Sequence, residues 1–203
     1  MTGLILKDLL NLKKQGKVYL ILIIFYFAIG LVNENSSMFA SMMTMVAVLI
    51  PITAMAYDER CKWDRYALTM PVSRKDMVMS KYLLGLIFLT AAFVISILLN
   101  MVFSNMPINE KILTALGNFF AGLTLMAVIF PLLFKFGVEK GRILMMIVIF
   151  IPVAAVMMIS KIGIPMPAEE KLEQLIYFLP IIGVLLFIIS IYVSLRIYRK
   201  KEF

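Results

Sequence analysis

The chain has 203 residues, of which 63% are hydrophobic and only 16% are charged, and its formal net charge is +8. Several uninterrupted apolar runs are about as long as the hydrocarbon core of a bilayer is thick, which indicates an integral membrane protein rather than a soluble domain. The single cysteine, Cys61, excludes an intrachain disulfide, and the absence of histidine removes the usual proton shuttle at neutral pH.

The N-terminal segment, residues 1–17, has an amphipathic pattern. Apolar side chains at Ile5, Leu6, Leu9, Leu10 and Leu12 fall on one helical face, and polar side chains at Lys7, Asp8, Asn11, Lys14 and Gln15 fall on the other. This pattern predicts an interfacial helix that lies along the membrane surface. A frayed, solvated tail is the alternative.

Six apolar segments predict transmembrane helices, so the expected fold is an all-α membrane protein with one transmembrane domain over residues 1–203. Their predicted bounds are Val18–Val32, Met38–Ala56, Tyr82–Phe103, Leu116–Phe134, Ile143–Ile159 and Leu175–Leu195. Only residues 33–37 separate the first two spans, which predicts a tight hairpin. The loop 160–174 allows a short helix, and its role is open.

The distribution of basic residues predicts the orientation of the chain. With six spans, 17 of the 20 Lys and Arg residues fall on one side, together with both termini. Positively charged loops stay in the cytoplasm, so we expect a multi-pass protein of the cytoplasmic membrane with both termini inside. The positive charge therefore does not indicate a nucleic-acid partner, because no segment is long enough to present a basic face on a folded soluble domain.

The longest charged segment lies between the second and third predicted spans. Helical spacing places Trp63, Tyr66, Ala67 and Met70 on one apolar stripe, and Asp58, Glu59, Lys62 and Arg65 surround that stripe. A helix of this kind at the cytoplasmic face, with an aromatic anchor and charges of both signs, suits docking onto a partner protein. An ordinary solvated loop on lipid headgroups is the alternative, and the residues alone do not decide between the two.

The same segment contains a predicted break. Pro71 disfavours helical geometry at Met70, so the helix is expected to end there. Ser73 and Asp76 have the spacing of a capping box, which predicts a new helix that begins near Arg74 and runs into the third span.

A family resemblance favours the docking interpretation. The residues that carry it are Glu59, Trp63, the run Leu68-Thr69-Met70-Pro71-Val72-Ser73-Arg74, the pair Lys81-Tyr82 and the opening run Leu4-Ile5-Leu6-Lys7-Asp8-Leu9. These residues resemble the loop pattern and the start of ABC-2-type permeases, in particular the small six-span group that exports phenol-soluble modulins and antimicrobial peptides. The match in span number and orientation extends along the whole chain.

The resemblance implies a function as well as a fold. It implies the permease subunit of an ATP-driven exporter, in which two permease copies, identical or closely related, pair with two separate ATPase subunits that bind ATP and magnesium. It also implies that the loop after the second span, residues 57–81, holds the coupling helix that contacts the ATPase, which by position is Asp58 to Met70. Amphipathic or apolar peptides are the implied substrate class.

Several functions are disfavoured by what the sequence lacks. The predicted spans contain no ionisable residue, which disfavours a proton- or sodium-coupled transporter or a channel. The chain has no GxxxxGK[ST] motif, so no cofactor is expected on this chain, and the lack of histidine disfavours an enzyme. A membrane anchor or an immunity protein that binds a toxic peptide without transporting it is the rival hypothesis.

Overall fold

The structure, a computed structural model, describes residues 2–13, 15–32, 36–103, 107–162 and 169–201. The helices in this part of the chain are α1 (Thr2–Lys13), α2 (Gly16–Val32), α3 (Ser36–Arg60), α4 (Trp63–Ala67), α5 (Arg74–Phe103), α6 (Ile108–Ile162) and α7 (Glu169–Lys200). The all-α prediction is confirmed. The predicted turn between the first two spans and the predicted short helix in the loop 160–174 lie partly or largely outside the described residues.

Among the described residues, four helices are long and apolar enough to cross a membrane by length and composition. The qualifying stretches are Met38–Arg60, Arg74–Met101, Ile108–Val148 and Phe178–Lys200, and the shorter helix Gly16–Gly30 is also apolar. A membrane protein with several apolar helices is thereby confirmed. The count of six spans and their individual bounds stay predictions.

Helix α6 contains a sharp turn at Gly137. A straight helix of its 55 residues would be about 80 Å long, far more than the roughly 30 Å of a bilayer core. Gly137 has the non-helical angles φ 80° and ψ 171°. A Cβ atom built on Gly141 would lie 3.6 Å from the Cα atom of Leu133, eight residues earlier, whereas a straight helix separates such residues by about 12 Å. The chain therefore turns back at Gly137, so a one-residue break stands where the sequence suggested a loop over residues 135–142.

The turn makes a specific mutational prediction. The backbone angles of Gly137 belong to a region that is open almost only to glycine, and a Cβ atom there would collide with the Glu59 carboxylate. We expect Gly137→Ala to lower the free energy of unfolding by about 1–3 kcal/mol, measured by denaturation in detergent micelles. Gly117→Ala is the matched control, because the added Cβ would have no atom within 4 Å outside the adjacent backbone of its own helix, and a helical glycine replaced by alanine gains up to about 1 kcal/mol. Equal effects of the two variants would contradict the structural role of Gly137.

The helices pack around aromatic and small side chains. Tyr82 is almost fully buried, and its hydroxyl shares hydrogen bonds of 2.6 Å with Ser190 and 2.8 Å with Ser194 on α7. Its ring makes an edge contact with Phe130 of α6, with 4.9 Å between the ring centroids. These contacts hold the start of α5 against α6 and α7, directly above the charged segment that joins α3 to α5.

Candidate functional site

The coupling segment, residues 57–81, differs in its secondary structure from the expected single helix over Asp58–Met70. Helix α3 continues to Arg60, so Asp58 and Glu59 lie on its last turn. Lys62 adopts left-handed backbone angles, φ 51° and ψ 36°, which end the helical path before α4 begins at Trp63. Left-handed angles are uncommon for a lysine. Glycine and asparagine adopt them more readily, but neither occupies this position, so the sequence does not predict the break. The break divides the predicted coupling helix into the end of α3 and the short α4.

The break divides the predicted apolar stripe into an inward part and an outward part. Ala67 is fully buried, and Trp63 packs against the main hydrophobic core. Tyr66 and Met70 instead point outward, with 64% and 49% of their surface exposed. The exposed pair forms the apolar surface that is available to a partner, which we call the outer knob. Lys62 and Arg65 are exposed beside it.

Two residues of the coupling segment and two of α1 form a cluster of four charged side chains, three of which are buried. Lys81 Nζ donates to Asp8 Oδ2 at 2.7 Å and to Asp58 Oδ2 at 2.5 Å. Lys7 Nζ donates to Asp58 Oδ1 at 2.5 Å and lies 3.1 Å from Asp8 Oδ1. Two lysines and two aspartates give the cluster no net charge. We call it the charge quartet; it joins α1, α3 and α5 at one point.

Three members of the charge quartet are shielded from solvent, whereas the Lys7 side chain keeps 21% of its surface exposed. Asp8 has only 1% of its surface exposed, and Asp58 and Lys81 are also buried. The ammonium group of Lys7 also lies 4.5 Å from the centre of the Trp63 ring, which adds a cation–π contact to α4. Removing one member of such a group leaves a buried charge without its partner, which is far more costly than losing an exposed ion pair.

Glu59 connects the coupling segment to the turn of α6. Its carboxylate accepts a hydrogen bond of 2.5 Å from the backbone N–H of Val138, the first residue after Gly137. The carboxylate thus occupies the open N-terminal end of the second half of α6, where the unpaired backbone N–H groups favour a negative charge. The family resemblance put Glu59 on the helix that contacts an ATPase; in the structure its carboxylate bonds to this chain, and a contact of Glu59 with an ATPase stays a prediction.

Two further contacts connect the segment to the end of α7. The Arg74 guanidinium donates to the carbonyl oxygens of Tyr198, Arg199 and Lys201 at 3.2, 2.7 and 2.9 Å, and so satisfies backbone acceptors that a helix end leaves unpaired. Asp64 of α4 is hydrogen-bonded to Tyr198. Burial raises the pKa of the Asp64 carboxyl above its ordinary value, and the hydrogen bond from Tyr198 and the nearby charge of Lys201 oppose this shift.

The predicted helix start after Pro71 is present. Asp76 donates its backbone N–H to Ser73 Oγ at 3.1 Å, and the backbone N–H of Ser73 donates to Asp76 Oδ2 at 3.4 Å. This reciprocal pair is a capping box, and α5 begins directly afterwards at Arg74. The sequence alone therefore predicts this boundary correctly.

A cavity of about 60 Å³ lies where these contacts meet, lined by residues of every described helix except α2. Among its lining residues, Asp8, Lys81 and Tyr198 were not predicted as site residues. The weak signals for Asp8 and Lys81 were the polar face of the N-terminal helix and the Lys81-Tyr82 pair, and Tyr198 had none. Within the described residues no three acidic or cysteine side chains are arranged to hold a metal ion. The site is thus a junction of helix ends with an exposed apolar knob, and its arrangement suits the transmission of force.

Comparison with known proteins agrees with this arrangement. A protein-family model described as "ABC-2 family transporter protein" matches residues 3–199. Searches of curated proteins and of solved structures find no match. Because the family match covers nearly the whole length, and because this family consists of transmembrane subunits of ABC-type transporters, the chain belongs to the ABC-2 transporter family and is a membrane-spanning permease subunit.

Proposed function

We propose that this chain works with a separate ATPase subunit and moves amphipathic or apolar peptides out of the cell. Two permease copies and two ATPase subunits would form the transporter. The observation that carries the proposal is the outer knob: Tyr66 and Met70 are exposed at the end of the bundle, while neighbouring residues of the same segment are fixed to other helices. Exposed aromatic anchors on rigid supports dominate the energetics of protein interfaces.

Contacts of the coupling segment with other helices would transmit movement of an ATPase to the membrane helices. A displacement of α4 acts on α1 through the contact between Trp63 and Lys7. It acts on α7 through the hydrogen bond between Asp64 and Tyr198. The adjacent last turn of α3 acts on the turn of α6 through the bond between Glu59 and Val138. Movement of the coupling segment thus reaches three other helices, α1, α6 and α7.

The energy source and the direction of transport are part of the proposal. ATP and magnesium would be bound by the ATPase, since the sequence of this chain has no phosphate-binding loop. Closure of two ATPase subunits around ATP would push the coupling segments together. Binding energy that is released at the ATPase can shift the permease only if the two conformations of the bundle bind the ATPase differently.

Purification from membranes tests the proposal. The tagged chain is co-expressed with a candidate ATPase encoded beside it, and the stoichiometry is measured by native mass spectrometry. We expect a stable complex of two permeases and two ATPases whose ATP hydrolysis is stimulated by an amphipathic peptide. Recovery of the permease alone, together with protection of cells from a toxic peptide in the absence of the ATPase, would instead establish the anchor or immunity function.

A further inference from the structure

Unpaired polar atoms are concentrated at the end of the bundle away from α4. Ser96 Oγ, Asn100 Nδ2 and Asn118 Nδ2 are buried and have no hydrogen-bond partner among the residues that the structure describes. Among the described residues, the one further buried atom without a hydrogen bond is Asp8 Oδ1, near α4. The ammonium group of Lys7 lies 3.1 Å from it. No such charged group is recorded beside the three atoms at the far end.

Helical spacing places these three residues on the faces of α5 and α6 that meet at Leu89 and Gly122. A Cβ atom on Gly122 of α6 would lie 2.6 Å from Leu89 of α5 and 2.7 Å from Thr44 of α3, so the three helices meet closely there. Asn118 lies about one turn from Gly122 on the same face of α6, and Ser96 and Asn100 lie about two and three turns beyond Leu89 on α5. We call this group, Ser96, Asn100 and Asn118, the far-end seam.

Neighbouring contacts confirm that the seam is packed. The rings of Phe93 and Phe119 are 5.4 Å apart and join α5 to α6 at the same level. Ser41 of α3 donates to Asn118 Oδ1 at 3.2 Å, which leaves the amide N–H groups of Asn118 unused. Asn100 and Ser96 retain only 4% and 3% exposure. The closed seam therefore buries hydrogen-bond donors against surroundings that offer them no acceptor.

This packing has an energetic consequence. Each buried polar group without a partner costs about 1–3 kcal/mol, whereas an apolar side chain of similar shape would not incur that cost. A membrane interior supplies no water to offset it. The closed arrangement is thus destabilised by its own side chains, and the cost disappears in any conformation in which acceptors enter the seam.

We propose that the far-end seam is a hydrogen-bonding site for the transported peptide, exposed when α5 and α6 separate during the transport cycle. This inference rests on the proposed function. The unused groups of both asparagines are placed as N–H donors, and the Ser96 hydroxyl can donate as well. The backbone carbonyl oxygens of a peptide supply matching acceptors whatever its sequence. Such a site accepts many apolar or amphipathic peptides without recognising their side chains.

Apolar replacements of the seam residues test the proposal, because the melting temperature should not fall while the peptide-stimulated ATP hydrolysis should fall. In the reconstituted permease–ATPase complex, we expect Asn100→Leu and Ser96→Ala to leave the melting temperature unchanged or to raise it, because a buried donor without an acceptor is removed. We expect stimulation of ATP hydrolysis by a synthetic amphipathic peptide to fall by about tenfold, the value of roughly one hydrogen bond. Thr90→Val is the matched control, since that hydroxyl donates to carbonyl oxygens of its own helix at 2.9 Å, and it should change neither quantity.

Opposite results overturn the inference. A lower melting temperature in Asn100→Leu and Ser96→Ala would mean that these groups are structural hydrogen bonds. Undiminished peptide stimulation at normal stability would mean that the seam does not contact the substrate. Both results are obtained in a complex that still hydrolyses ATP, whereas failure of the proposed function itself would appear as absence of the ATPase from the purified complex.

A labelling experiment tests whether the seam opens during ATP hydrolysis, and it does not require the synthetic peptide to be a substrate. In a Cys61→Ser background, a cysteine is introduced by Asn100→Cys or, as the control on the exposed side of α5, by Leu98→Cys. We expect a water-soluble maleimide to label position 100 faster during ATP hydrolysis than at rest, with little labelling at position 98 in either state. Equal labelling of position 100 in both states would show that the seam does not open, and would overturn the proposal.

Discussion

Replacing Lys81 with methionine is expected to lower the free energy of unfolding by about 3–5 kcal/mol. The substitution keeps most of the volume of the side chain but leaves the carboxylates of Asp8 and Asp58 facing each other with only Lys7 to balance them. Two buried carboxylates with one cation between them are strongly unfavourable in a site that excludes water. Denaturation in detergent micelles, monitored by circular dichroism, measures the effect.

The control is Lys75→Met, six residues earlier in the same helix. Lys75 is exposed, so its loss should change the free energy of unfolding by no more than about 0.5 kcal/mol. A double variant, Asp58→Asn with Lys81→Met, leaves one lysine and one aspartate in the site and should recover part of the lost stability. Comparable effects of Lys81→Met and Lys75→Met would contradict the structural role of the charge quartet.

Some helix positions could be predicted here because long apolar runs and helix caps are visible in the sequence itself. The predicted span Met38–Ala56 lies within α3, and the capping box at Ser73 marks the start of α5 within one residue. Both signals are local. A long apolar run indicates a helix that lies in lipid, and a capping residue indicates a helix start because its side chain pairs with the free N–H groups there.

The breaks and long-range contacts could not be predicted in the same way. Nothing in the sequence marks the left-handed angles of Lys62. The predicted spans placed a break at residues 135–142, but they did not show that the turn occurs at the single residue Gly137 or that the next backbone N–H, of Val138, bonds to Glu59. The charge quartet joins residues up to 74 positions apart, from Lys7 to Lys81. Its members looked like ordinary charges at a membrane surface, because Lys7, Asp8 and Asp58 each lie beside another charged residue, Lys81 lies at the predicted start of the third span, and nothing local marks any of them as buried.

Loss of the outer knob is expected to detach the ATPase without unfolding the permease. Tyr66→Ala removes a rigid, exposed aromatic side chain, and such anchors at the centre of an interface contribute about 2 kcal/mol or more, or roughly 30-fold in affinity. Because Tyr66 contributes little to the core, the melting temperature of the permease should stay the same. Binding of the purified ATPase to the permease in nanodiscs, measured by biolayer interferometry, gives the affinity. Tyr192→Ala, which removes an exposed tyrosine from α7, is the control and should bind normally.

Trp63→Ala separates docking from transmission. Trp63 packs against the core and beneath Lys7, so its truncation should lower the melting temperature as well as weaken the response of the bundle to the ATPase. Tyr66→Ala should therefore weaken binding alone, whereas Trp63→Ala should reduce peptide-stimulated hydrolysis even at ATPase concentrations that restore full binding. If both variants bound the ATPase with unchanged affinity, α4 would not be the docking element, and the exposed end of the bundle would have to contact the ATPase through other residues. The division of one apolar stripe into an outward knob and an inward anchor is what makes these two outcomes distinguishable.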